Sequence, residues 1–501
     1  MSTEFSALLQ KVHQLHDLDR AAQLLAWDRE VIMPRAADEI RIQQMTTVRR
    51  LLHEMFVADE VGELIAGAAS EVQGLPEESF EASLVRWLAY DYDRTRKLTD
   101  DYVRREAETS GRAHVVWREA RANNDFASFR PLLEQMVALG REKAELYGYD
   151  EEPYDALLEG YERGTTTAEV RAVFDAVKAE TAPLLQAIQE QGRPVDDSLL
   201  HQPYDVERQK EVARYLAEAL GYDFGRGYMG TAVHPFATSF SRYDARITGR
   251  WYPDFLPPAI LGVMHEAGHA IYEQGTHPDL ARTPLARGTS SGIHESQSRL
   301  FENIVGRSRG WWRAHFPRLQ EAFPAQLGQY TAEAFYLAVN KVQPSFIRVE
   351  ADELTYNLHI ILRFELEQAL INGELAVADL PAAWNDKMRE LLGIVPPDDT
   401  QGVLQDIHWT WPSFGYFPTY ALGNLYAAQF FAAACREKPE IEAELAEGKT
   451  TTLLAWLGEN IHQHGRKFTP GELVVRATGR PLSHAPFVAY VTQKFGDVYA
   501  L

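Results

Sequence analysis

The run His265-Glu266-Ala267-Gly268-His269 is the stretch of this chain whose residue types and spacing most directly imply chemistry. On a helix, residues four apart lie one above the other, so both imidazoles point the same way and can share a metal ion. Zn²⁺ suits two such nitrogens, at roughly 2.0–2.1 Å each. Glu266 lies beside the pair, where a carboxylate can take a proton from water activated by the metal. With 16 histidines in 501 residues, the pattern arises by accident in roughly a few chains per hundred. Ile260, Leu261, Met264, Ile271 and Tyr272 give the segment an apolar side, and Gly275 supplies a stop. The functional reading outweighs an accidental pair of histidines on a surface helix.

A catalytic site of this kind needs a third protein ligand and one open position. A histidine six residues after the second would be one solution, but Gly275 stands there. His277 and Asp279 come where the chain is still turning away from the helix end. The segment Ile293 to Asn303 is again helix-like and far enough along to fold back. Glu295 and His294 are its ligand candidates, and Glu302 shares a face with Glu295, suited to supporting a ligand from behind. Spacing alone leaves Glu295 one acid among several.

The elements that must position these residues read as helices. Apolar positions recur near the 3.6 period from about Phe5 to Glu30, and Met33-Pro34 interrupts them before a second stretch from Asp38 to Phe56. Further helical stretches run through Glu81–Glu108, Phe129–Leu146 and Thr167–Gln191, and another starts at Ala259. Thr238 to Tyr252 differs, being rich in β-branched and aromatic residues around Asp244 and Gly249; it predicts a short hairpin or small sheet just before the metal motif. Ser239 to Arg242 could bind a peptide main chain by edge addition. The fold class is mainly α: a large helical body with a small β element beside the motif helix. Residues 1–501 read as one catalytic domain, with a possible subdivision near 192–204, where Pro194, Asp196, Asp197 and Pro203 break the helical pattern.

The formal net charge of -22 argues against nucleic acid as a partner. No apolar run reaches the roughly 20 residues of a membrane span, and the N-terminus has no signal-peptide pattern, so the expectation is a cytoplasmic protein. The lone Cys435 can form no intramolecular disulfide and reads as a packed side chain on an apolar helix. Gly288 to Gly292 fits G-x-S-x-G but lacks the preceding strand of a nucleophile elbow. Gly225 to Gly230 fits G-x-G-x-x-G but has no βαβ unit around it and reads as a loop. His462 and His464, two apart, cannot share a metal from one helix.

Several further motifs in order make the chain resemble the carboxypeptidase Taq family of metallocarboxypeptidases. They are His234-Pro235-Phe236, D-x-R-x-T at Asp244 to Thr248, the H-E-x-x-H, H-E-S-Q at His294 to Gln297, I-R-x-x-A-D at Ile347 to Asp352, and G-x-x-Q-D-x-H-W at Gly402 to Trp409. Trp27-Asp28 and Met33-Pro34 are similar too. The resemblance implies that Glu295 is the third ligand, that the ion is zinc or cobalt and sits in a long active-site groove, and that the protein is a homodimer. It implies removal of single residues from peptide C-termini with broad preference. A zinc oligopeptidase or dipeptidyl carboxypeptidase with the same metal site is the alternative. It also places Arg348, His408 and Tyr420 in the site. Arg348 suits the substrate carboxylate, and either Tyr420 or His408 suits the oxyanion. His234, Asp244 and Arg246 are expected on the substrate-binding side, Arg246 as a weaker carboxylate anchor because Asp244 can pair with it.

Overall fold

The computed structural model describes residues 3–501. Helices dominate, and the first two predicted ones run Thr3–Val31 and Asp38–Phe56, separated at Pro34. The stretch read as Glu81–Glu108 is two helices, Phe80–Lys97 and Asp100–Asn123. The side chain of Thr99 accepts the Tyr102 N–H and caps the second. A period-based reading passes over such a break, because the apolar face resumes after it. The predicted Thr167–Gln191 helix has those bounds.

Two cores hold these helices. Phe5, Leu8, Ile65, Trp87 and Leu88 of the N-terminal helices form a small one, which Leu280 and Leu285 complete from far along the chain. The larger core is continuous from Tyr102 to Tyr499 and includes residues on both sides of the 192–204 segment.

The predicted hairpin is present and belongs to a three-stranded sheet, ordered β1 (Met229–Thr231), β3 (Asp244–Gly249), β2 (Ala237–Ser241). β3 runs antiparallel to β2 and parallel to β1, a strand that follows the glycine-rich turn at 225–227. Ala245 and Ile247 alternate inward from β3 and are buried. That face packs on the motif helix, Pro257–Gly275, whose first residues Pro257 and Pro258 occupy positions where a missing N–H costs nothing.

The motif helix is buried on nearly every side, because it lies between the sheet, the helix Val206–Leu220 and the helix Ser291–Arg299. Its crossing with Ser291–Arg299 is close enough to require a glycine. A Cβ at Gly268 would lie 2.5 Å from the Gln297 carbonyl oxygen and 2.7 Å from Ser298 Cα. Ser291–Arg299 also packs on the helix Pro418–Glu437 through Gly423, where a Cβ would lie 2.5 Å from Glu295 Cγ. Two glycines thus set the depth at which Glu295 sits.

Candidate active site

His265 and His269 stand one turn apart with ring centroids 5.0 Å from each other. Glu295 reaches them from the facing helix, its Oε2 at 3.6 Å from His265 Nε2 and 3.3 Å from His269 Nε2. A four-coordinate ion with bonds near 2.1 Å holds neighbouring donor atoms about 3.4 Å apart, so these spacings fit one. Among the described residues, this trio is the one group of His, Cys, Asp or Glu whose ligand atoms converge within 4.8 Å.

The other nitrogen of each imidazole is occupied from behind. His265 Nδ1 lies 2.8 Å from Glu302 Oε2, as the shared face of Glu295 and Glu302 suggested. His269 Nδ1 lies 2.6 Å from His294 Nδ1, and His294 Nε2 lies 2.8 Å from Glu273 Oε1. His294 therefore stands behind His269 and is no part of the converging trio. Such contacts fix ring orientation and leave the outer nitrogen for a metal. Glu302 falls in a π-helical turn, Leu300–Val305, that continues the Glu295 helix.

Glu295 is held by Arg299, one turn on, which donates to its Oε1 at 2.6 Å and to Glu302 Oε2 at 3.2 Å. Burial works against ionising Glu295, but Arg299 and the two imidazoles hold its carboxyl well below the usual range. Glu266 differs. It is buried, and burial with the neighbouring Glu295 and Glu302 pushes its pKa up to about 7, although His265 opposes the shift. Glu273, Glu295 and Glu302 each have a hydrogen-bonded partner; Glu266 has none among the described residues. It is the carboxylate left free to exchange a proton.

The N-terminus of the Glu295 helix is capped twice. Ser290 Oγ accepts the Ile293 N–H at 3.1 Å. Glu162, fully buried, accepts the Gly292 N–H and, at 3.0 Å, the Ser290 hydroxyl. So Ser290 serves as a helix cap, consistent with reading G-x-S-x-G as no nucleophile elbow. Gln297 of H-E-S-Q meets buried His462 at 2.8 Å, which gives that histidine a packing role.

A family model described as carboxypeptidase Taq (M32) metallopeptidase matches residues 7–495. The chain belongs to this family. It is 43% identical to thermostable carboxypeptidase 1 of Thermus thermophilus, over 95% of each chain. It is 37% identical to carboxypeptidase 1 of Bacillus subtilis, over 99% of this chain and 98% of that one. Among solved structures, an M32 carboxypeptidase from Deinococcus radiodurans superposes with a TM-score of 0.97 at 38% identity, covering 100% of both chains. The protein is thus a metallocarboxypeptidase, mainly helical as expected.

Beside the metal trio, this carboxypeptidase has a second buried charge cluster. Arg348 Nε and Nη2 donate to Asp406 Oδ1 at 3.1 and 2.9 Å, and Nη1 donates to the Tyr356 hydroxyl at 2.8 Å. Arg363 Nε donates to the other oxygen of Asp406 at 2.6 Å. Two guanidiniums therefore share one carboxylate in the interior; burial and Arg348 together lower the pKa of Arg363, while Asp406 opposes the shift. Arg299 stacks over the Tyr356 ring at 4.3 Å, linking this cluster to Glu295. Tyr420 lies under Arg348 at 4.9 Å, with its hydroxyl 3.2 Å from His408 Nε2. Burial, with Arg348 and Arg363, lowers His408 to about 3, outweighing the nearby Asp406, so its imidazole is neutral. Tyr420 keeps its hydroxyl proton, because burial raises its pKa.

The remaining sequence candidates share no hydrogen bond or ion pair with either cluster among the described residues. Arg246 donates to Asp244 at 2.7 and 2.8 Å, and its guanidinium faces the rings of Trp27 and Phe240 at 4.5 and 4.8 Å. This joins the sheet to the N-terminal helix. His234 is exposed beyond β1. No hydrogen bond or ion pair among the described residues connects these three to the metal trio. Strand β2 is an edge strand, lined by a cavity of about 280 Å³, but the Ser239 carbonyl already accepts a hydrogen bond from Arg20 at 2.7 Å.

Proposed function

We propose that the protein removes single residues from peptide C-termini at a zinc site formed by His265, His269 and Glu295, with Glu266 as general base. The observation that carries this is that two unlike groups adjoin through Arg299 and Tyr356: a trio of two imidazoles and one carboxylate that suits a cation, and a buried pair of guanidiniums that shares one carboxylate and suits an anion. Two imidazoles and a carboxylate suit zinc, and cobalt accepts the same donors. When bound, the metal supplies the Lewis acidity that acidifies water and polarises a carbonyl.

The protein's own groups divide the remaining work. Glu266, free of partners, takes the proton of the attacking water and returns it to the leaving nitrogen. The Tyr420 hydroxyl donates to the developing oxyanion, with His408 fixing its direction. Arg348, locked in place by Asp406 and Tyr356, presents its remaining N–H groups to the substrate carboxylate. Preorganisation favours this use, since the guanidinium loses little freedom when the anion arrives.

A peptide-ladder digest with metal-loaded enzyme, read by mass spectrometry, tests the reading. Successive losses of one residue are expected; losses in steps of two point to a dipeptidyl carboxypeptidase and overturn it. The family resemblance supports a homodimer, and sedimentation velocity reads the mass directly. No described helix is long and apolar enough to cross a membrane.

A further inference from the structure

We propose that Arg287 selects peptides carrying a carboxylate side chain upstream of the bond to be cut. This rests on the carboxypeptidase reading of the metal site. A cavity of about 480 Å³ lies between the N-terminal helices and the metal-bearing body, and Arg287 lines it. Residues on two of its walls pack towards the site through intervening side chains. On one wall, the residue after Arg287 is Gly288, where a Cβ would lie 2.5 Å from His294 Cδ2, and His294 bonds His269. On the other, Tyr161 meets the Tyr416 ring edge-on at 5.2 Å, and Tyr416 meets Tyr420 in the same way at 5.2 Å. A single departing residue does not fill a space in the range of whole ligand pockets. The chain upstream of the scissile bond does.

The charges in this cavity are unbalanced. Arg94, Lys143, Arg287 and Arg466 line it with only Asp91 and Glu106, four positive against two negative, in a chain of net charge -22. Both acids are spoken for: Arg466 binds Asp91 through two nitrogens at 2.6 and 2.9 Å, and Lys143 meets Glu106 at 3.1 Å. Arg94 donates to the Ala156 carbonyl and lies over the Tyr147 ring. Arg287 has neither hydrogen bond nor ion pair among the described residues. An exposed arginine ordinarily needs no explanation, since water satisfies it. Here the surrounding walls, with Arg466 and Arg20 nearby, lower the pKa of the guanidinium to about 10, while Asp91 opposes the shift.

The test walks Glu, Gln or Lys through the positions upstream of the scissile bond in otherwise identical short peptides. With metal-loaded enzyme, Glu should exceed Gln in kcat/KM by about tenfold at one of these positions, the scale of one charge-assisted hydrogen bond. Lys should be the poorest. Arg287→Met should bring the Glu-to-Gln ratio close to one, and Arg287→Glu should make Lys the favoured residue. Arg104→Met, on the outer face of the helix Asp100–Asn123, should keep the wild-type ratio. In the wild type, raising salt from about 50 to about 500 mM should compress the ratio without any substitution. Absence of a Glu preference at every upstream position, or its survival in Arg287→Met, overturns the proposal. Binding of the same peptides to Glu266→Gln enzyme separates the two readings. If no peptide is cut but the Arg287-dependent affinity ratio remains, only the catalytic reading fails; equal affinities for Glu and Gln peptides overturn the role of Arg287.

Discussion

Around His265 and His269, four carboxylates (Glu266, Glu273, Glu295 and Glu302) face two arginines, Arg299 and Arg307. Around Arg348, two buried guanidiniums face one carboxylate, Asp406. The first region is rich in carboxylates and the second in guanidiniums, and buried charge of either sign ordinarily costs several kcal/mol unless it is paired. The difference in sign is instructive. Under the proposed function a cation completes the first and an anion the second, and since Arg299 and Tyr356 connect the two, a peptide ending in a carboxylate would lie across both at once.

The contrast can be broken from either side. Glu295→Gln removes the anionic ligand; metal stoichiometry should collapse and turnover fall by at least ~10³-fold, read by metal analysis beside the digest assay. Glu266→Gln should lose turnover by about 10²–10⁴-fold while retaining metal, and full activity in that variant rules Glu266 out as the base. On the cationic side, Arg348→Lys keeps the charge and loses the fork. It should lower kcat/KM by about 10–100-fold, narrow the preference for free over amidated C-termini, and leave metal content unchanged.

Geometry offers a finer probe. Gly423→Ala drives a Cβ against Glu295 and should weaken metal binding by about 10–100-fold in a chain that still folds. The smallest effect is expected at Glu162. Burial pushes its carboxyl up to about 8 against the hydrogen bonds from Gly292, Ser290 and Tyr426. The native state therefore holds this proton more tightly than the unfolded chain does. That contribution to stability is complete below the unfolded value and is lost as pH rises towards about 8. From about pH 5 to about pH 8, wild type should lose about 1 kcal/mol or more relative to Glu162→Gln, read from paired denaturation curves. A constant difference shows that Glu162 does not titrate in this window.

Much of the first region was legible because its information is local. His265, Glu266 and His269 follow from helical spacing, and Glu302 from its face. Glu295 needed the H-E-S-Q resemblance, since no spacing rule separates it from its neighbours. The partners behind the ligands carried a signal that went unread. Glu273 lies one turn past His269 on the same face, and Arg299 one turn past Glu295. Asp406 stands inside G-x-x-Q-D-x-H-W, yet nothing local tells that it serves Arg348 and Arg363 from 58 and 43 residues away. Glu162, Gly423 and Arg287 were out of reach, because their significance exists only after distant helices cross. The sheet shows the same limit: the hairpin follows from alternation and turn residues, whereas β1 is three residues long and gains its identity only by pairing with β3.

The contacts that seat the Glu295 helix have a temporal meaning as well. Glu162 lies 130 residues before Gly292, and His462 lies 165 residues after its partner Gln297. During synthesis the motif helix emerges long before Gly423 and His462 exist to seat Glu295 against it. A nascent chain can offer two imidazoles to passing ions but not the settled trio. The site thus matures only when nearly the whole polypeptide has left the ribosome, and an unfinished copy is a peptidase in composition without being one in deed.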